Sequence, residues 1–577
     1  MSLWRALHII LLMTVGFGAD SITLRGQSPF DPSFTPEAFL IREHLELFAD
    51  RSIYVVDESI QFRADHRVDG VGEGVWSTVL YAELVTSTGK SVADGKFTLS
   101  EGMGSGSLKI PGGALTGNYF LKCYTRWMRN SGPQSFSYTP LKIVNPFDSK
   151  VTDHGNGTAM EQTITRREYT TGYLNCSTQK PVYGKGEEVR LSLTGPLMNR
   201  LQQINCCVTV VPSGAVDMDH GQVTFAGSSM KPGDYKVNYL PDLKGASLTG
   251  TVVSADQWEQ PIQSARLYFS LLGENPDYFA TVTDDMGRFV ISTTNRTGIQ
   301  ELFVTPDPSV AGEVEVRIDQ DFDTGKMPVP AKKFGLSARE HEVATQMALQ
   351  MQLSELYESQ GSGQGPSPDA TDREEPLFYG TPGFSIMMDD FVTLPTLEEV
   401  FINLVPGVEV VVKRGKKSLK IYGPNTTINL YQPLIMIDHI PVFDQQLIMG
   451  IHPEKILKID LIREVYVKGN VSHGGVISIF TRNGDMAGID LSAHSYFFDV
   501  QSIQSLDSKE IQVYAPGDRV PDMRNTLFWM EDIFLQKGST QEVTFRAPSV
   551  PGDYVILVRG VAHQGNVISA TALFSVE

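Results

Sequence analysis

Short runs in which apolar and polar residues alternate, broken by glycine, proline, asparagine and aspartate, fill most of this chain. A period of two puts alternate side chains on opposite faces, so runs of this length between turn residues predict β-strands. Ile53-Tyr-Val-Val-Asp-Glu-Ser-Ile-Gln-Phe and Val182-Tyr-Gly-Lys-Gly-Glu-Glu-Val-Arg-Leu align without a gap. The alignment sets Tyr54 on Tyr183, Glu58 on Glu187, Ile60 on Val189 and Phe62 on Leu191. Val513-Tyr-Ala-Pro-Gly-Asp-Arg-Val reads as the start of a third copy. A second element recurs as Gly117-Asn118-Tyr119 and Gly552-Asp553-Tyr554, each leading into an apolar strand a few residues after a proline (Pro111, Pro548). Turns and short strands at this spacing predict Ig-like sandwiches of about 100 residues each.

One segment breaks the period. Ser337–Tyr357 predicts a helix, with Ser337 as N-cap and Glu340 three residues on. Leu336, Val343, Met347 and Met351 recur at helical spacing, and Ala348, Leu349, Leu353 and Leu356 broaden the apolar face. Such a stripe is more commonly a core face than a partner groove. Ser359–Pro376, rich in glycine, serine and proline, predicts a flexible linker. At the other extreme, Met1–Ala19 carries one arginine, the apolar run Ala6–Val15 and a small-residue end, the parts of a secretory signal. The run is short for a membrane span of about 20 residues.

Composition sharpens this in two places. At 577 residues, a prior of roughly 150 residues per domain gives about four domains. A net charge of −19, from 48 Lys+Arg against 67 Asp+Glu, leaves no general field for nucleic acid. Four cysteines are too few for a disulfide framework. Cys206 and Cys207, adjacent on a predicted strand, point to opposite faces. Two readings stay open: a bridge from Cys176 to Cys206 or Cys207 with Cys123 a buried thiol, or reduced cysteines throughout.

The repeated strand–turn–strand element resembles the macroglobulin-like domains of the α2-macroglobulin family, over Phe39–Phe147, Arg166–Leu240 and Ile511–Glu577. The reactive Cys-Gly-Glu-Gln sequence of that family's protease traps is absent, so the trapping chemistry does not carry over. Gly250-Thr-Val-Val, Gln260-Pro261-Ile262, Ala265-Arg-Leu-Tyr-Phe and Thr283-Asp284-Asp285-Met286-Gly287-Arg288-Phe289 resemble the carboxypeptidase regulatory-like domain. That resemblance implies a seven-stranded sandwich without catalytic residues. Four further segments stand in the order seen in the plug domain of TonB-dependent outer-membrane receptors, which they resemble: Val405-Pro-Gly-Val, Pro433–Val442, Ile462–Gly469 and Gly474–Gly484. His439 stands where that family has glycine after Asp438, and the Lys468-Gly469 to Gly474-Gly475 connection is short. A receptor barrel of 22 strands needs more than roughly 200 residues, and only residues 485–577 follow.

These observations predict a mainly β chain: tandem Ig-like, macroglobulin-like β-sandwiches plus one α+β plug-like domain. The expected order is a signal peptide (1–27), two macroglobulin-like sandwiches (28–148 and 149–244) and a regulatory-like sandwich (245–330). A helix and linker (331–380), the plug-like domain (381–484) and a C-terminal sandwich (485–577) follow.

Candidate chemistry is sparse. His341-Glu342-Val343-Ala344-Thr345 has threonine where the second zinc-binding histidine of His-Glu-x-x-His stands. Asp319, Asp321 and Asp323 have calcium-loop spacing, but Thr324 and Pro330 replace the needed glycine and glutamate, and a solvated acidic loop is the plainer reading. Gly102-Met-Gly104-Ser-Gly106 predicts a turn between strands, and the basic run Lys413–Lys417 a hairpin tip able to touch anionic lipid. No catalytic, cofactor-binding or metal-ligating residue is assigned. The chain is expected to be a non-enzymatic, exported cell-envelope protein of a diderm bacterium, docking to an outer-membrane barrel or receptor through the plug-like domain. Peripheral membrane association is compatible with that, and nucleic acid is not a partner. The expected docking surface is Asp438, His439, Lys468, Gly469, Asn470 and His473. A ligand- or peptide-binding protein of nutrient uptake is the alternative, and a hydrolase the third.

Overall fold

The computed structural model describes residues 40–70, 76–152, 164–166, 171–195, 203–217, 223–225, 237–256, 258–273, 275–293, 297–327, 333–361, 377–492, 494–504, 522, 524–562 and 566–577. The expected signal, the repeat at Val513, and most of the linker, from 362 to 376, lie outside the described residues. The protein is mainly β.

The first sandwich has eight strands of its own in a simple order, and its sheet is extended beyond Ser137–Val144 by Val223–Phe225 and Ile164–Arg166, from the segment expected as the second sandwich. Arg42–Ala49, Ser59–Asp69 and Met103–Lys109 form one layer. Ser91–Ser100, Val79–Thr86, Gly117–Tyr124 and Ser137–Val144 form the other, with Ile53–Val55 running parallel to the last. Ser91–Ser100 continues into Met103–Lys109 and joins the layers. Inward residues of both layers, among them Tyr54, Phe62, Tyr81 and Tyr138, make one dry core. The Gly102–Gly106 run has a packing role there. A β-carbon on Gly106 would come 2.2 Å from the Phe97 ring, which meets Phe62 edge-on at 4.9 Å.

The second sandwich repeats that order strand for strand, but from two distant pieces of chain. Asn175–Thr178, Val182–Tyr183, Glu188–Thr194 and Gln203–Pro212 supply its first four strands. Phe528–Gln536, Thr540–Arg546, Gly552–Val561 and Val567–Val576 supply the last four. Glu188–Thr194 lies between Asn175–Thr178 and Thr540–Arg546, and Gln203–Pro212 lies between Phe528–Gln536 and Gly552–Val561. Val182–Tyr183 pairs parallel with Val567–Val576, as Ile53–Val55 does with Ser137–Val144. The second and the C-terminal segments, expected as two sandwiches, therefore pair with each other and share one core. Where the first sandwich joins its fourth and fifth strands by the short connection 87–90, the second carries residues 213–527.

Inside that insertion the arrangement nests again. A sandwich of seven strands is built from a three-stranded sheet (Arg288–Thr293, Ala246–Ser254, Val314–Ile318) and a four-stranded one (Asp277–Val282, Arg266–Leu272, Ile299–Pro306, Tyr496–Gln501). Six strands fall within the expected 245–330, and the seventh, Tyr496–Gln501, returns after the α+β unit. Its turn is as read from sequence: Gly287 takes φ +70°, and the Asp284 carboxylate accepts from the amides of Met286 and Arg288.

The helix Ala338–Gly361 starts with the expected capping box. Ser337 Oγ accepts from the Glu340 amide, and Glu340 Oε2 accepts from the Ser337 amide. Its Val343, Ala344 and Met347 bury against Ile53, Val55, Val211 and Leu557, so the stripe is a core face between the two eight-stranded sandwiches. Leu349, counted with that face from spacing, is exposed instead. No helix among the described residues is long and apolar enough to cross a membrane.

Candidate docking surface

The α+β unit holds a five-stranded sheet in the order Phe384–Met387, Ile456–Ile462, Val476–Thr481, Leu434–Ile437, Ile440–Pro441. The helices Leu397–Leu404 and Gln445–Met449 and the hairpin Val408–Lys413/Lys416–Ile421 cover its apolar face. The covering helix starts where the sequence provides Thr396, whose hydroxyl accepts from the Glu399 amide.

Asp438 and His439 form the two-residue turn between Leu434–Ile437 and Ile440–Pro441, with φ of +46° and +69°. Both positions are left-handed, the conformation that favours glycine in such turns. Asp438 latches the turn from within, accepting from Thr481 N at 2.8 Å, Thr481 Oγ1 at 2.5 Å and Met486 N at 2.9 Å. The His439 ring stands edge-on to Phe480 at 5.3 Å, and its carbonyl accepts from Ser270 Oγ of the seven-stranded sandwich at 2.7 Å. Its Nδ1 is buried without a partner. Burial holds the imidazole below its ordinary pKa, against an opposing pull from Asp438.

The remaining four residues belong to the small hairpin Tyr466–Lys468/Val471–His473, which lies against the strand Asp277–Val282. Lys468 Nζ reaches Asp277 Oδ1 at 2.9 Å and sits 5.0 Å over the Phe279 ring. Gly469 takes φ +59°, and a β-carbon there would stand 2.1 Å from the Ala280 carbonyl oxygen. His473 is buried, its Nε2 3.1 Å from the Tyr278 hydroxyl. Burial pushes its pKa down to about 4, helped by Arg266 and opposed by Asp307. Asn470 is exposed at the tip.

The structure thus corrects the expected docking surface. His439, Lys468, Gly469 and His473 meet the chain's own seven-stranded sandwich, and Asp438 works inside the unit. The physical reason is an aromatic seam of Tyr268, Tyr278, Phe443, Tyr466 and their neighbours, whose burial turns this face inward. Tyr268, Asp277 and Tyr278 complete the joint. In the sequence Tyr268 stands out only as part of the Ala265–Phe269 strand, and Asp277 and Tyr278 carry no motif that would single them out.

The other candidates resolve similarly. Asp321 meets Lys96 at 2.7 Å, Asp323 meets Lys122 at 3.3 Å, and Asp319 accepts from Thr249 Oγ1 at 2.6 Å. The acidic loop is therefore a clasp onto buried lysines of the first sandwich, neither a calcium loop nor solvated throughout. No group of residues able to hold a metal occurs among the described residues. His341 and Glu342 lie on an exposed helix face. All four cysteines are free: Cys206 enters the second core and Cys207 packs on the opposite side with Phe48 and Trp529. The basic run is a hairpin tip, as expected, turning at Arg414 and Gly415.

No family model matches the chain, and no curated protein matches it. Solved structures give loose likenesses. A Salmonella α2-macroglobulin reacted with methylamine shares 10% identity over 92% of this chain and 39% of its own, at a TM-score of 0.23. The native Escherichia coli α2-macroglobulin shares 10% over 93% and 40%, also at 0.23. The D0–D1 domain of intimin shares 12% over 48% and 98%, at 0.13. The chain spans less than half the length of the α2-macroglobulins it matches. Superpositions this loose carry no argument about activity or partners.

Proposed function

We propose that this chain is a non-enzymatic cell-envelope protein in which macroglobulin-like and regulatory-like sandwiches present a plug-like unit to an outer-membrane protein. The observation that carries the reading is the distribution of exposed apolar side chains. Nearly half of the large ones among the described residues belong to residues 377–492, with Val392, Leu430, Ile402 and Val412 foremost. A concentration of exposed apolar residues on one unit supports an interaction surface there. The resemblance of Val405–Gly484 to a receptor plug supplies the class of partner, a membrane barrel or receptor. Because Lys468, Gly469 and His473 of the hairpin are engaged internally, the partner on this reading meets the unit's other exposed apolar residues, Ile402 and Val412 among them. Purification of the full chain from native membranes tests this. Co-purification of an outer-membrane protein, lost in an Ile402→Glu/Val412→Glu double variant, is the expected result. Recovery of the chain with no such protein overturns it.

A further inference from the structure

The hairpin Val408–Lys413/Lys416–Ile421 is a two-stranded sheet with two unlike edges. Its register, Val408↔Ile421 through Lys413↔Lys416 around Arg414-Gly415, determines which backbone groups face outward. With a two-residue turn the Lys413–Lys416 pair is hydrogen-bonded, so the alternate pairs Val412–Lys417 and Val410–Leu419 turn their N–H and C=O groups away from the ladder. On the second strand those outward groups are used. The Leu419 amide donates to Gln445 Oε1 at 2.6 Å, and the Lys417 carbonyl accepts from Gln446 Nε2 at 2.5 Å. Two glutamines of the neighbouring helix seal that edge as a third strand would.

The first strand has no such seal. No hydrogen bond outside the hairpin reaches the N–H or C=O of Val410 or Val412 among the described residues. Val410 is half-buried and Val412 is 62% exposed. An unpaired, apolar, β-branched edge of this kind is a template for another strand. Its end is strongly cationic, with Lys413, Arg414, Lys416 and Lys417 clustered at the tip of a chain whose net charge is −19. Lys417 is engaged with Glu398, while Lys413 and Lys416 are exposed.

We propose that the Val408–Lys413 edge binds an extended, acidic segment of a partner protein by strand addition. The partner's backbone pairs with Val410 and Val412, and its carboxylates meet Lys413, Arg414 and Lys416. This rests on the reading of the α+β unit as a docking module and gives the partner its chemistry: an exposed strand or loop rich in alternating acidic and apolar residues. Repulsion between two whole chains of net charge −19 disfavours a second copy as the occupant.

The test uses the full chain and a labelled ten-residue peptide of alternating valine and glutamate, followed by fluorescence anisotropy. The expected result is saturable binding that weakens with salt and falls by about tenfold or more when alternate peptide amides are N-methylated. Val410→Pro, which removes an outward N–H at an edge position where proline is tolerated, abolishes binding with an unchanged melting profile. If that variant does not fold, the N-methylated peptide still decides. Equal binding of the N-methylated peptide, or of a valine–lysine peptide, overturns the proposal. So does capture by phosphatidylglycerol vesicles, or concentration-dependent self-association, with no peptide binding. Envelope purification separates the two readings. If the Val410→Pro chain still brings down the same outer-membrane protein, the edge assignment fails and the docking role stands. If the unaltered chain brings down none, the docking role fails and the peptide result alone decides the edge.

Discussion

The two eight-stranded sandwiches contain the same turn twice, once buried and once exposed. In the first, the Arg51 amide donates to the Tyr54 hydroxyl, the Arg51 guanidinium meets Glu58 at 2.9 Å, and Glu58 accepts from the Val55 amide at 2.7 Å. In the second, the Lys180 amide donates to the Tyr183 hydroxyl, Lys180 meets Glu187 at 2.5 Å, and Glu187 accepts from the Gly184 amide at 2.8 Å. Each cation also lies over its tyrosine ring, at 4.5 and 4.9 Å. The local geometry is the same and the surroundings are opposite. Arg51 and Glu58 side chains are 3% and 11% exposed, and Lys180 and Glu187 are 46% and 40% exposed. The first copy also holds Asp50, Thr526 and Asn525, and so ties the first sandwich to the second. A motif's geometry is thus local, whereas its energetic weight is set by what covers it.

The largest effect expected from this contrast is at Arg51. Arg51→Ala strands the Asp50 and Glu58 carboxylates away from water, and removal of one partner of a buried pair costs about 3–5 kcal/mol. Urea unfolding measures it, and a cost no greater than that of Lys180→Ala would erase the contrast. Next comes the joint at His473, where burial again outweighs geometry. Its folded pKa, about 4, lies below the ordinary 6.5, so the unfolded chain binds more protons between those values. Stability therefore falls as pH drops from 6.5 to 4, by about 3 kcal/mol, and levels off below. His473→Gln removes that contribution to the pH dependence of the urea midpoint, and an unaltered profile would refute it.

A smaller and symmetric effect is expected where the two copies share their surroundings. Tyr119 donates to the Leu115 carbonyl at 2.7 Å and Tyr554 to the Val550 carbonyl at 2.9 Å, a corner that fixes the same strand in each sandwich. Tyr119→Phe and Tyr554→Phe each cost about 1 kcal/mol, and a several-fold difference between them would show that the repeats are not equivalent. The smallest effect is at Glu187. Glu187→Gln leaves the melting midpoint nearly unchanged, and any loss disappears in added salt, because the pair is open to water.

The tyrosine and glutamate of each turn were legible in the sequence because Tyr54 and Glu58 lie four residues apart, as do Tyr183 and Glu187, whereas the cations Arg51 and Lys180 lie just before the aligned runs and were not singled out. The strands that include Tyr119 and Tyr554 were legible as apolar runs after a turn for the same reason. Their partners were not. Alternation says which face a residue takes and nothing about which strand lies beside it, so the pairing of Gln203–Pro212 with Phe528–Val561 left no local trace. Asp321 and Asp323 read as a loop for solvent or a cation because Lys96 and Lys122 lie some 200 residues earlier. The same limit governs the docking surface. Lys468-Gly469 was recognisable as a turn, but the Asp277 and Ala280 that it meets belong to a different sandwich.

The nesting of one unit within another sets an order of assembly. The strands Asn175–Pro212 cannot finish their sheets until Phe528–Val576 has been made, since every second-half partner lies beyond the insertion. Loop-closure entropy grows only slowly with length, so the long detour adds little to the equilibrium cost of joining the halves. Its consequence is kinetic. Such distant contacts form slowly, and until they do the early half waits with open strand edges while the inserted units fold on their own. The second sandwich is therefore expected to be the last part to close, and a chain interrupted within the insertion would keep folded inner units beside an unclosed shell.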